Sequence, residues 1–123
     1  MTKKKHRIHI TIKSTATVFD EVLETWGRAE KSLLVGDAEA ELSFTDGATM
    51  LSTLSAKRME LLRFLYKRGA MNIKKLAQQL KRDYSNVHGD VQLLLRFGLL
   101  NKDESNQIFV PWDELAIDFP LAA

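Results

Sequence analysis

The sequence predicts an α+β fold, and three observations carry that prediction. Ile8, Ile10 and Ile12 alternate with His9, Thr11 and Lys13, the period-2 pattern of a half-buried strand. Residues 72–97 hold two short runs at helical spacing, Ile73, Leu76, Ala77 and Leu80, then Val87, Val91, Leu94 and Leu95. Leu99 to Lys102 and Gln107 to Val110 then read as two strands around a Ser105-Asn106 turn, with Pro111 ending the second.

After the first strand, Val18, Val22, Leu23, Trp26, Ala29 and Leu33 form one apolar stripe. Asp20, Glu21, Glu24 and Glu30 lie opposite, which predicts an amphipathic helix over 18–33. Gly36-Asp37 breaks it. Residues 40–45 predict a second strand with Leu42 and Phe44 on one face, closed by Asp46-Gly47. Such a unit could pair its strands within one chain or between two. Residues 48–54 predict a short helix or turn carrying Leu51 and Leu54. Ser55 then caps a longer helix to about Arg68, with Leu54 and Met59 placed for a hydrophobic staple. Leu61, Leu62, Leu65 and Tyr66 face the core, and Gly69 stops the helix. Asn72 and Asp83 stand where the N-caps of the next two helices belong.

Three helices followed by a β-hairpin make a winged helix-turn-helix. The expected division is therefore residues 1–47, a strand-helix-strand extension that dimerises or binds a partner, and residues 48–123, a winged-helix DNA-binding domain. The tail from Trp112 to Ala123 is expected to pack back on that domain.

Charge is unevenly spread. Residues 1–13 carry +5, 14–54 carry −6, 55–97 carry +7 and 98–123 carry −4, around a net +2. The two-helix motif thus lies in the basic segment, and neutralised phosphates supply most non-specific affinity for nucleic acid. The second helix of the motif opens on small polar residues. Lys74, Lys81, Arg82 and Tyr84 are candidates for holding phosphates. Ser85, Asn86, His88, Gly89 and Gln92 lie on the face that would enter a major groove, where the Asn86 and Gln92 amides suit adenine. Asp90 is expected to pair with a cation such as Arg58 or Arg63, and Leu93 or Leu95 to pack on the tail or a partner chain. Ile10, Val22, Trp26 and Leu33 are the candidate dimer or partner interface.

Residues 54–110 resemble the MarR-like winged-helix DNA-binding proteins. They are most similar to a group of small regulators in which a strand and helix precede the winged helix. The likeness is carried by Leu54-Ser55-Ala56-Lys57-Arg58, Glu60-Leu61-Leu62, Leu76-Ala77, the run from Arg82 to Val91, Gly98-Leu99 and Val110-Pro111-Trp112-Asp113. It implies a transcriptional repressor that binds an operator as a homodimer. Some similar regulators look like the antitoxin half of a toxin–antitoxin pair. The alternative expectation is thus an antitoxin-type protein whose acidic N-terminal region neutralises a basic toxin. Such relatives tend to carry a basic residue where this chain has Gly89. At the hairpin tip, Asp103 and Glu104 would repel phosphates, so the wing is not expected to grip DNA.

Other classes are disfavoured. The chain has no cysteine, which removes disulfides and thiolate metal sites and fits a reducing cytoplasm. His6 and His9 share a spacing known from helical metal sites, but they fall on a strand and its lead, with no third ligand near. No nucleophile–base signature, phosphate loop or carboxylate pair appears, so neither catalysis nor a cofactor is expected. No apolar run reaches the roughly 20 residues that span a bilayer, and the basic start is not followed by a signal-peptide core.

Overall fold

The computed structural model of this 123-residue chain describes residues 6–13 and 40–121. The architecture is α+β, with four helices and two small sheets among the described residues. The chain divides into two compact units. One comprises residues 1–52 with 114–123, the other residues 53–113.

The first unit is built on a parallel sheet. Strand β1 (Arg7–Ile12) lies between β2 (Ala40–Phe44) and β5 (Glu114–Ile117). The open question of pairing is answered: β1 and β2 pair in parallel within one chain, Ile10 opposite Leu42 and Ile12 opposite Phe44. Parallel neighbours need a long crossover, and the expected helix over 18–33 falls in it, outside the described residues. Ile8 and Ile10 are buried, as the alternation predicts. The opposite face carries polar cross-strand pairs, Arg7 to Glu114 at 3.0 Å and Thr11 to Ser43 at 3.4 Å. Lys13 pairs with Glu41 and holds its carboxyl below the usual carboxylate range.

Two expectations change here. The tail divides: Trp112 and Asp113 stay with the helical unit, whereas residues 114–117 pair with β1 at the register Ile8↔Leu115 and Ile10↔Ile117. Hydrophobic alternation in so short a run (Leu115, Ile117) does not say which edge it will join. Ile10, expected at an interface, lies on the central strand and is fully buried within its own chain. It presents nothing to a partner.

Helix α1 (Gly47–Thr53) starts on Asp46, whose carboxylate accepts from the Thr49 amide at 2.7 Å and the Thr49 hydroxyl at 3.0 Å. Those bonds hold the Asp46 carboxyl below its ordinary value. The apolar residue this helix buries is Met50, whereas Leu51 points to solvent. Phe119 closes on Gly47, where an added Cβ would lie 2.8 Å from the ring and the exposed ring would have to shift to admit it.

The second unit holds helix α2 (Ala56–Arg68), helix α3 (Ile73–Leu80), helix α4 (Tyr84–Arg96) and a hairpin of β3 (Asn101–Lys102) and β4 (Ile108–Phe109). Ser55 caps α2 by accepting from the Arg58 amide, and Asn72 caps α3 by accepting from the Lys75 amide at 2.7 Å. Leu61, Leu62 and Leu65 from α2, Leu76 and Ala77 from α3, and Val87, Val91 and Leu94 from α4 are buried, together with Met71, Leu99, Leu100 and Ile108. Met71 bridges to Ile108 through two backbone hydrogen bonds of 2.9 and 3.1 Å, adding a one-residue third strand to the hairpin. Tyr66 is not in the core; it is half exposed and donates its hydroxyl to Asp113 at 3.0 Å. Trp112 donates its indole N–H to the Gly98 carbonyl at 2.8 Å, tying the hairpin exit to the end of α4.

Candidate nucleic-acid interface

Helix α3 and helix α4 pack on each other across a turn of three residues, Lys81, Arg82 and Asp83. Lys81 takes the left-handed conformation, φ 56° and ψ 44°, and its amide closes α3 onto the Ala77 and Gln78 carbonyls. That reversal costs a non-glycine residue of order 1 kcal/mol or more. It lets the chain leave α3 and enter α4 within three residues. Asp83 occupies the N-cap position of α4, but its side chain makes no cap bond, contrary to expectation. Its exposed carboxylate still sits where the positive end of the helix dipole favours an anion.

Helix α4 buries Val87, Val91 and Leu94 as one stripe. At 100° per residue the opposite stripe is Ser85, Gly89, Gln92 and Arg96, all exposed. His88 lies on one flank, with its ring 5.8 Å from that of Tyr84. Asn86 is exposed too, but helical geometry puts it on the other flank, away from Gln92. The structure therefore sets Ser85, Gly89 and Gln92 on one stripe, with His88 and Asn86 on its opposite flanks. The sequence reading passed over Arg96, one turn beyond Gln92 on the same stripe; the i, i+4, i+7, i+11 spacing from Ser85 was the available signal. A Cβ at Gly89 would meet no atom within 4 Å, so this position is open.

Lys74 and Lys81 are exposed. Arg82 is not. Its side chain is 21% exposed, and its Nη2 donates to Asp90 Oδ2 at 2.8 Å. Arg58 Nε donates to the other oxygen, Asp90 Oδ1, at 3.0 Å, and Arg58 Nη1 reaches the Thr53 carbonyl at 3.1 Å. Asp90 pairs with Arg58, as the sequence suggested, and with Arg82, which it did not. The cause is position: Arg82 precedes α4 and Asp90 lies two turns into it, on the side that faces back toward α2. Arg82 Nη1 is buried and has no hydrogen-bond partner.

Lys74, Ala77, Gln78, Arg82 and Tyr84 line an open cleft of about 450 Å³ between α3 and the start of α4. No acid is among them. Residues 53–113 as a whole carry eleven cations against six acids, a net +5. At the hairpin tip, Asp103 has a structural task. Its Oδ1 accepts from the Ser105 amide at 2.9 Å and the Gln107 amide at 3.0 Å, while Asn106 takes a left-handed φ of 67°. The acid there closes the turn.

A family model, HVO_A0114, matches residues 53–117. The chain belongs to the HVO_A0114 family. The HVO_A0114 match takes in α2, α3, α4 and the hairpin and runs on through β5. The whole candidate interface thus lies within the HVO_A0114 region. No curated protein and no solved structure matches the chain.

Val22, Trp26 and Leu33, expected at an interface, lie outside the described residues. Among the described residues there is no group of three His, Cys, Asp or Glu side chains that could hold a metal, and no helix long and apolar enough to cross a membrane.

Proposed function

We propose that this chain is a winged-helix protein that binds duplex DNA in the cytoplasm as a homodimeric transcriptional repressor, with α4 as the reading helix. The observation that carries the reading is the outward stripe Ser85, Gly89, Gln92 and Arg96 on α4. It is small and polar at its N-terminal end and basic at its C-terminal end, and Lys74 and Lys81 of the preceding helix and turn are exposed as well. A helix of this kind can read base edges with Gln92 while cations hold the flanking phosphates. Support also comes from the order of elements, three helices followed by a two-stranded hairpin, and from the positive charge of the unit that holds them. Asp103 at the hairpin tip argues that grip comes from the helices and not from the wing.

The test is binding of a labelled duplex from the DNA upstream of the protein's own gene, measured over a range of salt. Log affinity is expected to fall with log salt at a slope of magnitude on the order of 5 or more, as expected when a dimer neutralises several phosphates per subunit. No binding at low salt, or a flat salt dependence, rejects the reading. Sedimentation at micromolar protein should show a dimer; a monomer rejects that part alone.

A further inference from the structure

We propose that the cleft lined by Lys74, Gln78, Arg82 and Tyr84 is a preorganised phosphate site, with Arg82 set in place by the Arg58–Asp90 pair. As a phosphate of the DNA backbone is the first candidate ligand, the inference deepens the DNA-binding reading and rests on it for the identity of that ligand.

Three features point to a tetrahedral oxyanion. The first is the orphan donor. Arg82 Nη1 is buried with no partner, and a buried charged donor without an acceptor is costly unless a ligand supplies one. The second is that Asp90 does not supply it. Its Oδ1 is taken by Arg58 and its Oδ2 by Arg82 Nη2. The carboxylate fixes the guanidinium through Nη2 and leaves Nη1 without an acceptor. The third is the charge and chemistry of the lining. Arg58, Asp90 and Arg82 together carry +1, Lys74 adds another positive charge, and Gln78 and Tyr84 bring an amide and a hydroxyl that can donate. Arginine and lysine divide the work as they do at other phosphate sites, one as a planar fork and one as a point charge. Lys74 and Gln78 are exposed, and no hydrogen bond or ion pair of the described residues restrains their side chains. They can turn toward an oxyanion held in the cleft.

Asp90 is a positioning residue in this scheme, and that role is separable from simple electrostatics. Asp90→Asn removes a negative charge, so a merely basic patch would bind phosphate more tightly in the variant. A site that depends on a fixed Arg82 would bind it more weakly.

The experiment is nuclear magnetic resonance of the full chain, following the Arg82 Nε–H and Gln78 side-chain amide signals. Inorganic phosphate is added in one arm and a short random duplex in the other, with chloride at matched ionic strength as the control. Both ligands are expected to move the two signals, and chloride is not. Lys74→Ala, at an exposed position that should not disturb folding, is expected to weaken both ligands by on the order of 10-fold. Asp90→Asn is expected to weaken inorganic phosphate, with amide dispersion reporting that the fold is intact. Phosphate that moves neither signal overturns the proposal, as does tighter binding in Asp90→Asn. Should Asp90→Asn unfold, an unchanged phosphate affinity in Lys74→Ala overturns it alone. If a duplex binds and leaves both signals unmoved, the DNA-binding reading stands and the cleft is not its phosphate site. If inorganic phosphate moves them and no duplex binds, the phosphate site stands and its ligand is a free phosphate compound instead of DNA.

Discussion

Arg82 Nη2 donates to Asp90 Oδ2 at 2.8 Å, joining the turn before α4 to the body of that helix. With Arg58 on the other carboxylate oxygen, three residues spread over 33 positions of sequence lock α4 to α2. This changes what substitution of Arg82 should do. Arg82→Ala removes more than a surface cation: it leaves half of a mostly buried carboxylate unpaired. Arg82→Ala and Asp90→Ala are each expected to lower stability by about 1–3 kcal/mol in urea denaturation. The double variant should lose less than the sum, because the pair is one unit. Strictly additive losses would show that the two side chains do not depend on each other.

Lys74→Ala is the cleaner probe of phosphate holding, since Lys74 is exposed and in no ion pair of the described residues. It should weaken binding to all duplexes alike, because phosphates carry no sequence information. Gln92→Ala should instead reduce the preference for the operator over random DNA by about 1–3 kcal/mol. Asn86→Ala should change that preference less, because Asn86 lies on the far flank of α4. Equal effects of Asn86→Ala and Gln92→Ala would place the groove differently from the stripe argued above.

Gly89 sits in mid-helix with open space around it. Gly89→Ala is expected to stabilise the fold by up to roughly 1 kcal/mol in thermal or urea denaturation, through helix propensity alone. Gly89→Arg should tighten binding to random duplex if this stripe meets phosphate. If both variants change stability and leave DNA affinity untouched, the stripe does not face DNA. If Gly89→Ala folds normally yet loses operator binding, the backbone approaches a base or sugar closely at that point.

Tyr66 donates its hydroxyl to the Asp113 carboxylate, which raises its pKa above the ordinary tyrosine value, first through the hydrogen bond and then through the negative charge. A raised pKa favours the neutral phenol in the folded state. The stabilisation is therefore fully present below the unfolded pKa of about 10 and is lost as pH rises through the folded value. In a Tyr84→Phe background, phenolate absorbance should report Tyr66 alone, and Asp113→Asn should move its titration to lower pH. A midpoint indifferent to Asp113→Asn would mean that the bond does not persist in solution.

The sequence by itself determined the local elements. Alternation at Ile8, Ile10 and Ile12 located β1, and the caps at Ser55 and Asn72 located the starts of α2 and α3. The 3.6-residue spacing of Val87, Val91 and Leu94 fixed which side of α4 is inward, and hence that Ser85, Gly89 and Gln92 look out. These are effects of neighbours a few residues apart, so a linear reading captures them. The tertiary structure decided what distant segments do to one another. It brought residues 114–117 to the edge of β1, some hundred positions away, because the unfilled edge of a sheet and not local pattern selects the next strand. It buried Ile10 on the central strand of the sheet and turned Tyr66 outward to Asp113. Above all it drew Arg82 inward to Asp90 and Arg58. A guanidinium at a turn looks free in sequence; a mostly buried carboxylate two helical turns away is what claims it.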